Sequence, residues 1–332
     1  IKSLPHVLCM RKPLENVLSA VIPVNANVVL LVSGYDYSPI NGASVDFSAA
    51  AINCCKRTQS YRSVHSTNSE IVLEFSFADG AIYQYSLIGD TIYRTPHFCF
   101  ESPVASDFLL TGRSSCLAPT TRRFSSITDV YFILLWVGCF RPGQIVSLIF
   151  ASHSWNDGPI FLNSFDPFPK IPWRSPFDKD ARKKDLLWPQ LSKQDLKLMR
   201  ACFHSNGFII NLGCGGSVDA KTIIRDKIRQ PSFSKSELTL LRNIGRNCWS
   251  QLFADVCQIV CYAAFPGMPT CLEIDVELAT LAVPQNEVLD RLDHSLVLSG
   301  LVSGLGLKLD PWGFGLAEFA PRRDQGRLKE SH

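Results

Sequence analysis

The chain has 332 residues, and its 33 Lys and Arg against 30 Asp and Glu give a formal net charge of +3. This length is enough for one large domain or two modest ones with a substantial core. A hydrophobic share of 46% and a charged share of 19% exclude an intrinsically disordered chain. The near balance of charge gives no basic face of the kind that nucleic-acid binding requires, so we expect no nucleic-acid partner.

Hydropathy and cysteine usage bear on the location of the protein. The apolar runs are far shorter than the roughly 20 residues that a membrane-spanning helix needs, and the charged N-terminal stretch is atypical of a signal peptide. The twelve cysteines include the adjacent pair Cys54 and Cys55 but no Cys-x-x-Cys pair. Such thiols are typical of small core residues in a reducing compartment. We therefore predict a cytoplasmic location, no membrane partner, no metal and no other cofactor.

The first half of the chain predicts a strand, a helix and then a hairpin. Residues 27–33 (NVVLLVS) form a continuous apolar run, which is typical of a strand buried on both faces. An alanine-rich helix is predicted over 44–56. Alternating residues over 71–77 and 81–87 predict a hairpin around an Asp-Gly turn, with a short third strand over 91–94.

The second half predicts alternating helices and buried strands. Helices are predicted over 127–137, 193–203, 218–229 and 236–261, and buried strands over 144–151 and 208–212. This alternation predicts an α/β fold, a three-layer α/β/α sandwich with a mainly parallel sheet and a β-hairpin insertion. We divide the chain into an N-terminal extension (1–25), the α/β domain (26–269) and a C-terminal segment packed on that domain (270–332).

Candidate catalytic residues follow two of the predicted buried strands. The strand 144–151 is followed by Ser152 and then His153, and Cys214 follows the strand 208–212 between two glycines. If the strands are parallel neighbours, both residues emerge at the same edge of the sheet, as a Cys/His dyad requires. The glycines on either side, Gly213 and Gly215, are candidate oxyanion donors through their backbone N–H groups.

Two further residues are candidates for the substrate cleft because they follow His153 in the chain. Ser154 is the next residue, and Trp155 could form a wall of the pocket. The expected partner is a peptide or protein substrate.

The order of the predicted elements resembles that of the caspase-like cysteine peptidases, which include caspases, metacaspases and legumains. In this order a strand, a helix, a hairpin and a helix are followed by the strand with the histidine, a helix and the strand with the cysteine. Residues 30–37 and 41–46 are similar to the family's first strand and the helix start that follows it. Residues 151–154 (ASHS) correspond to its Ser-Gly-His-Gly, and 212–217 (LGCGGS) to its Asp-x-Cys-x-Ser-Gly. The resemblance covers about residues 26–230 and implies a caspase-like fold with His153 as base.

Other segments, at 126–131, 152–164 and 178–185, are similar to those of a group of bacterial proteins that share this core and have no established activity. This likeness supports the architecture and supplies no reaction, whereas the resemblance to the caspase-like peptidases implies a cysteine endopeptidase with Cys214 as nucleophile. Serines replace both glycines beside the family histidine, and Leu212 stands where the family has Asp. These departures favour the alternative, a catalytically inactive caspase-like scaffold that acts as a binding or regulatory module.

Three weaker candidates remain open. Cys202, close to His204, is an alternative nucleophile, although it falls in the last turn of a predicted helix. The glycine loop after residue 212 is also similar to a nucleotide-binding loop, but such loops normally follow the first strand. An acidic segment over 157–185 could hold calcium, but interleaved basic residues favour a solvated loop.

Overall fold

The computed structural model describes residues 12–36, 45–63, 69–88, 91–99, 127–161, 181–187, 191–213, 215, 217–227, 232–268 and 297–322. The helices are α1 (Lys12–Val21), α2 (Ser48–Ser63), α3 (Ile127–Phe140), α4 (Lys193–Ala201), α5 (Val218–Asp226), α6 (Lys235–Arg246), α7 (Trp249–Cys257) and α8 (297–305). The strands are β1 (Asn27–Ser33), β2 (Tyr35–Asp36), β3 (Val45–Asp46), β4 (Glu70–Ser76), β5 (Ala81–Ile88), β6 (Thr91–Cys99), β7 (Ile145–Ala151), β8 (His153–Trp155), β9 (Gly158–Ile160), β10 (Phe203–Asn211), β11 (Val260–Ala263) and β12 (Ala317–Phe319).

Eight of these strands form one sheet in the order β12-β11-β10-β7-β1-β4-β5-β6. The five strands from β11 to β4 are parallel, and β12, β5 and β6 are antiparallel to their neighbours. The three predicted buried strands are adjacent in the sheet, so the predicted α/β architecture with its parallel core and hairpin insertion is confirmed. Its chain order is that of the caspase-like resemblance, and the fold is caspase-like.

The residues of β1 alternate between two hydrophobic layers because successive side chains of a strand point to opposite faces. Val28, Leu30 and Val32 face the larger layer, to which α1 and α3–α8 contribute. Val29 and Leu31 face a smaller layer that contains residues of α2 and of the loop before β12. Helices and loop thus cover both faces, which explains why β1 and β7 are buried along their whole length.

The segments at both ends of the described chain belong to this core. Leu14, Leu18 and Ile22 have no exposed surface, and α8 contributes Val297 and Leu301. The antiparallel strand β12 pairs with β11.

One predicted helix is wrong, because residues 236–261 form two helices and a strand. Helix α6 ends at Arg246, and Cys248 then has the extended conformation that starts α7. Gln258 ends α7 in the left-handed conformation (φ 56°), and the chain continues directly into β11. The whole segment is rich in apolar residues, so the breaks leave no mark in the helical period.

The other boundaries shift by a few residues. Helix α2 begins at Ser48 instead of residue 44 and continues to Ser63, and β6 extends to Cys99. Helix α4 ends at Ala201, since β10 begins at Phe203, five residues before the predicted start. Ser192 caps α4, because its side chain accepts a hydrogen bond from the Asp195 N–H.

A buried carboxylate joins four strands on the α2 side of the sheet. Glu74 in β4 has no exposed surface and accepts hydrogen bonds from the hydroxyl groups of Ser33 and Tyr85. Arg94 in β6 lies 3.0 Å from the same carboxylate. Ser48, the first residue of α2, donates to Ser33 Oγ at 3.2 Å, so this network also fixes the start of α2.

Candidate functional site

His153 lies at the carboxyl edge of the sheet, two residues beyond the end of β7. It begins a short hairpin in which β8 pairs with β9, His153 opposite Ile160 and Trp155 opposite Gly158. His153 is partly buried, and its ring forms a T-shaped pair with the ring of Phe47, with centroids 5.2 Å apart and planes at 78°. Phe47 directly precedes α2, so the start of that helix helps to orient the imidazole.

The β8–β9 hairpin is held from both sides. The Trp249 N–H at the start of α7 donates to the Asn156 carbonyl at 3.0 Å, and the Ala181 N–H donates to the Pro159 carbonyl at 3.1 Å. A side chain at Gly158 would meet both supports, with the Ala181 carbonyl oxygen at 2.7 Å and Trp249 Cδ1 at 3.0 Å. The hairpin is therefore a fixed part of the sheet edge.

The two other predicted cleft residues are both on β8. Ser154 is buried and faces β10, whereas Trp155 has 52% of its surface exposed. Trp155 is thus available to a ligand at this edge.

The loop that carries Cys214 begins where β10 ends, next to β7, with Asn211 opposite Phe150 in the parallel register. Cys214 itself lies outside the described residues, but Gly213 and Gly215 on either side are described. A Cβ atom at Gly213 would overlap the Ser154 Cβ and would lie 2.8 Å from the Ser152 carbonyl oxygen. Gly213 therefore packs directly against both chain neighbours of His153.

Gly215 packs against a different segment, the turn after β11. Its N–H donates to the Met268 carbonyl at 2.9 Å, and its carbonyl accepts the Gly267 N–H. A Cβ atom at Gly215 would overlap the Phe265 carbonyl oxygen. The glycines are needed here because backbone from two other segments occupies the space of their side chains.

These contacts correct the predicted oxyanion donors. The Gly213 N–H donates to Asn211 Oδ1 at 3.1 Å and the Gly215 N–H donates to the Met268 carbonyl. Both N–H groups are donated within the protein, so we do not assign an oxyanion role to these two glycines. The same two donations argue against the nucleotide-binding reading, which needs loop N–H groups directed at a phosphate.

Sequence reasoning missed Asn211, the last residue of β10. It is buried, and its side-chain amide reaches Gly213, Ser154 Oγ at 3.4 Å and Ser250 Oγ at 3.5 Å. The signal in the sequence is a polar residue that ends an otherwise apolar run, Phe208–Ile210. A buried amide in such a place needs specific partners.

The alternative nucleophile Cys202 is buried, and burial raises its pKa well above the ordinary value. Its Sγ lies 3.0 Å from the Met199 carbonyl oxygen. The thiolate is the nucleophilic form, and at this position it is strongly disfavoured. Cys202 is therefore a core residue that ends α4.

The described cysteines differ sharply in exposure. Six are buried, and burial raises the pKa of each: Cys54, Cys55, Cys202, Cys248, Cys257 and Cys261. Cys139 at the end of α3 is exposed. Its exposure makes it an internal standard for the reactivity of a solvent-accessible thiol.

Part of the predicted calcium segment is described. Asp157 on the β8–β9 turn lies 3.9 Å from Arg182. Asp185 is buried and accepts hydrogen bonds from the Arg182 N–H at 2.9 Å and from the Tyr131 hydroxyl at 3.4 Å. Within the described part of the chain, no three His, Cys, Asp or Glu residues gather as a metal site would require. Residues 162–180 lie outside the described residues.

The site and fold together define a caspase-like α/β protein whose candidate histidine hairpin packs against its candidate cysteine loop. Two similar solved structures are of a secreted C11 cysteine protease from Bacteroides thetaiotaomicron, the first in complex with an irreversible peptide inhibitor. They are 9% and 8% identical to this chain, with TM-scores of 0.33 and 0.34, over 85% and 86% of it. The chain spans 58% and 62% of their lengths. No family model matches the chain, and a search of the curated proteins gave no match.

One prediction from the cysteine usage is corrected by this comparison. Both similar structures are of a secreted enzyme, so the prediction of a cytoplasmic location is wrong. Buried free thiols identify core packing, and their presence does not require a reducing compartment. In the part of the chain that the structure describes, no helix is both long and apolar enough to span a membrane.

Proposed function

We propose that the chain is a cysteine hydrolase, most simply an endopeptidase, in which Cys214 is the nucleophile and His153 the general base. The observation that carries this proposal is the packing of Gly213 against Ser152 and Ser154. The chain neighbour of the proposed nucleophile touches both chain neighbours of the proposed base. A dyad requires this approach, because base and nucleophile act within hydrogen-bond reach.

The proposed chemistry is acyl transfer. His153 takes the thiol proton of Cys214, and the thiolate attacks the carbonyl carbon of the substrate. When the carbon–nitrogen bond breaks, the imidazolium returns that proton to the leaving amine. Water then attacks the thioester, giving up a proton to His153, and releases the acid and the free thiol.

The proposed substrate is a peptide or protein lying along the carboxyl edge of the sheet. The exposed indole of Trp155 stands on the hairpin beside His153, where it can pack against an apolar substrate side chain. Buried Ser154 packs against Gly213, so its proposed role is to support the loop.

The pH dependence of alkylation by iodoacetamide tests the dyad. A histidine-activated thiol has a pKa below the free value of about 8.5, so it stays reactive at mildly acidic pH. If the pKa were about 6.5, the thiolate fraction at pH 6 would rise about 80-fold, and the lower nucleophilicity would offset part of this gain. We expect Cys214 to alkylate about ten-fold faster than exposed Cys139 at pH 6, measured by peptide mapping of the folded chain.

Two histidine variants make the experiment specific. His153→Ala should bring the Cys214 rate at pH 6 down to that of Cys139. His204→Ala is the matched control, because His204 lies near the opposite end of β10 from the loop. It should leave the Cys214 rate unchanged. Equal rates for Cys214 and Cys139 in the wild-type chain, unaffected by His153→Ala, would contradict the hydrolase.

That outcome would support the second candidate, a caspase-like module without catalytic activity. The observation that favours this candidate is the internal donation of the Gly213 and Gly215 N–H groups. Hydrolysis of an acyl group relies on donors aimed at the developing oxyanion.

A further inference from the structure

Asn211 stands at the point where the chain leaves the sheet for the cysteine loop. It is 3% exposed and ends a strand whose preceding three residues are all buried and apolar. Its Oδ1 accepts the N–H of Gly213, two residues further along the chain, at 3.1 Å. A side chain that accepts the N–H of residue i+2 closes an Asx turn, which redirects the backbone. The side chain of Asn211 therefore determines how the chain bends immediately before Cys214.

The amide nitrogen of Asn211 joins this turn to two separate elements. Nδ2 donates to Ser154 Oγ on the histidine hairpin at 3.4 Å and to Ser250 Oγ in α7 at 3.5 Å. Helix α7 also holds the hairpin through Trp249. One buried amide thus connects the loop of the proposed nucleophile, the hairpin of the proposed base and the helix that supports the hairpin.

An apolar side chain at position 211 would leave buried polar groups without partners. The Gly213 N–H would lose the strongest hydrogen bond, because its contact is the shortest of the three that the Asn211 side chain makes. A buried N–H without an acceptor is costly. Backbone packing against Ser152 and Ser154 leaves Gly213 little room to find another acceptor. The bend would then have to change, and Cys214 would move relative to His153.

We propose that Asn211 is a positioning residue, which sets the direction of the cysteine loop so that Cys214 meets His153. This inference rests on the proposed function, since it concerns the same dyad. Asn211 is not a catalytic residue, because its contacts are with the protein and not with the reacting atoms.

The test is the pH profile of Cys214 alkylation by iodoacetamide in Asn211→Ala. We expect the rate at pH 6 to fall about ten-fold or more, with the apparent pKa of Cys214 moving up towards the free value of about 8.5. Asn211→Asp keeps an acceptor for the Gly213 N–H and should restore the rate to within about three-fold. Asn243→Ala removes an amide of the same size from the exposed face of α6 and should leave the profile unchanged.

A residue that only stabilised the fold would behave differently. Asn211→Ala would then melt at a lower temperature, while Cys214 kept its wild-type pH profile at 20 degrees below the melting point, and that result would overturn the proposal. If Asn211→Ala does not fold, Asn211→Gln replaces it, since the extra methylene displaces the oxygen from Gly213 but keeps the amide. A wild-type profile in that variant equally overturns the proposal.

The same measurements separate this proposal from the proposed function. If wild-type Cys214 has an ordinary thiol profile and His153→Ala does not change it, both proposals fail. If Cys214 reacts fast in a His153-dependent manner but is indifferent to Asn211→Ala, only the positioning role fails.

Discussion

Replacing Gly213 by Ala tests the contact between the cysteine loop and the histidine hairpin. The added methyl group would overlap the Ser154 Cβ, lie 2.8 Å from the Ser152 carbonyl oxygen and lie 3.0 Å from the Ser154 N–H nitrogen. Two of these three atoms are backbone atoms, and one of them belongs to Ser154 in β8, which is paired with β9. The methyl group therefore cannot be accommodated by a side-chain rotation alone.

Overpacking of a rigid site costs about 1–3 kcal/mol. We place Gly213→Ala near the upper end of this range, because its methyl group would meet two backbone atoms. We expect the free energy of unfolding to fall by about 3 kcal/mol, measured by urea denaturation with an unchanged m-value. A further substitution, Ser154→Gly, removes the atom that the methyl group overlaps. It should recover part of the loss, as a coupling of about 1 kcal/mol in a double-mutant cycle.

Gly304→Ala is the matched control. Its methyl group would also meet a neighbour closely, at 2.8 Å, but that neighbour is Leu238 Cδ2, the far end of a flexible side chain. Gly304 lies in α8, where Ala is the better helix former by about 1 kcal/mol, so this variant should be as stable as the wild type or more so. If Gly213→Ala were equally neutral, the hairpin and the loop would not be packed together, and the proposed dyad would lose its main support.

Two further predictions concern buried ionisable groups. Burial raises the pKa of Cys248 to about 11. A thiol whose pKa is higher in the folded chain than in the unfolded chain contributes to stability below its unfolded pKa of about 8.5. This contribution is lost as the pH rises towards 11. In urea titrations from pH 8 to 10.5 with reductant, Cys248→Ala should therefore lose less stability than the wild type, by about 1.4 kcal/mol per pH unit above pH 9; parallel curves would contradict this. Glu74→Ala leaves the hydroxyl groups of Ser33 and Tyr85 without their acceptor, while Arg94 keeps its ion pair with Asp79. We expect it to lower the free energy of unfolding by about 3 kcal/mol. A loss below about 0.5 kcal/mol, typical of a surface substitution, would show that the Glu74 network does not hold the sheet together.

The parallel core was predictable because each of its central strands is buried on both faces. Such strands are unbroken apolar runs in the sequence, and β1 and β7 are recognised by runs of this kind. The hairpin of β4 and β5 was predictable from alternation and from its Asp-Gly turn. In both cases the structural cause lies within a few neighbouring residues.

The end of α6 and the strand β11 could not be predicted because their causes are distant in sequence. Strand β11 has only four residues and is recognised by its pairing with β10 and β12. The separation of α6 from α7 depends on the extended backbone at Cys248, which allows Trp249 to reach the Asn156 carbonyl. Neither interaction has a local pattern.

The candidate site was predictable to the level of its location. A residue that follows a buried parallel strand must emerge at the carboxyl edge, and His153 does so. Its place in a β8–β9 hairpin and its contact with Phe47 depend on residues that packing brings together. The role of Asn211 required the hydrogen bonds themselves, since an Asn at the end of a strand is compatible with many functions.

The glycines of the cysteine loop show how one motif can have two physical meanings. A glycine-rich loop suggests either free N–H groups around a ligand or a close approach of backbone segments. At Gly213 and Gly215 the second meaning applies, because each N–H is donated within the protein and each side-chain position is occupied by a neighbouring segment. Packing accounts for these two glycines without a ligand, so the chemistry proposed for the loop depends on Cys214 and on the direction that Asn211 gives to the chain before it.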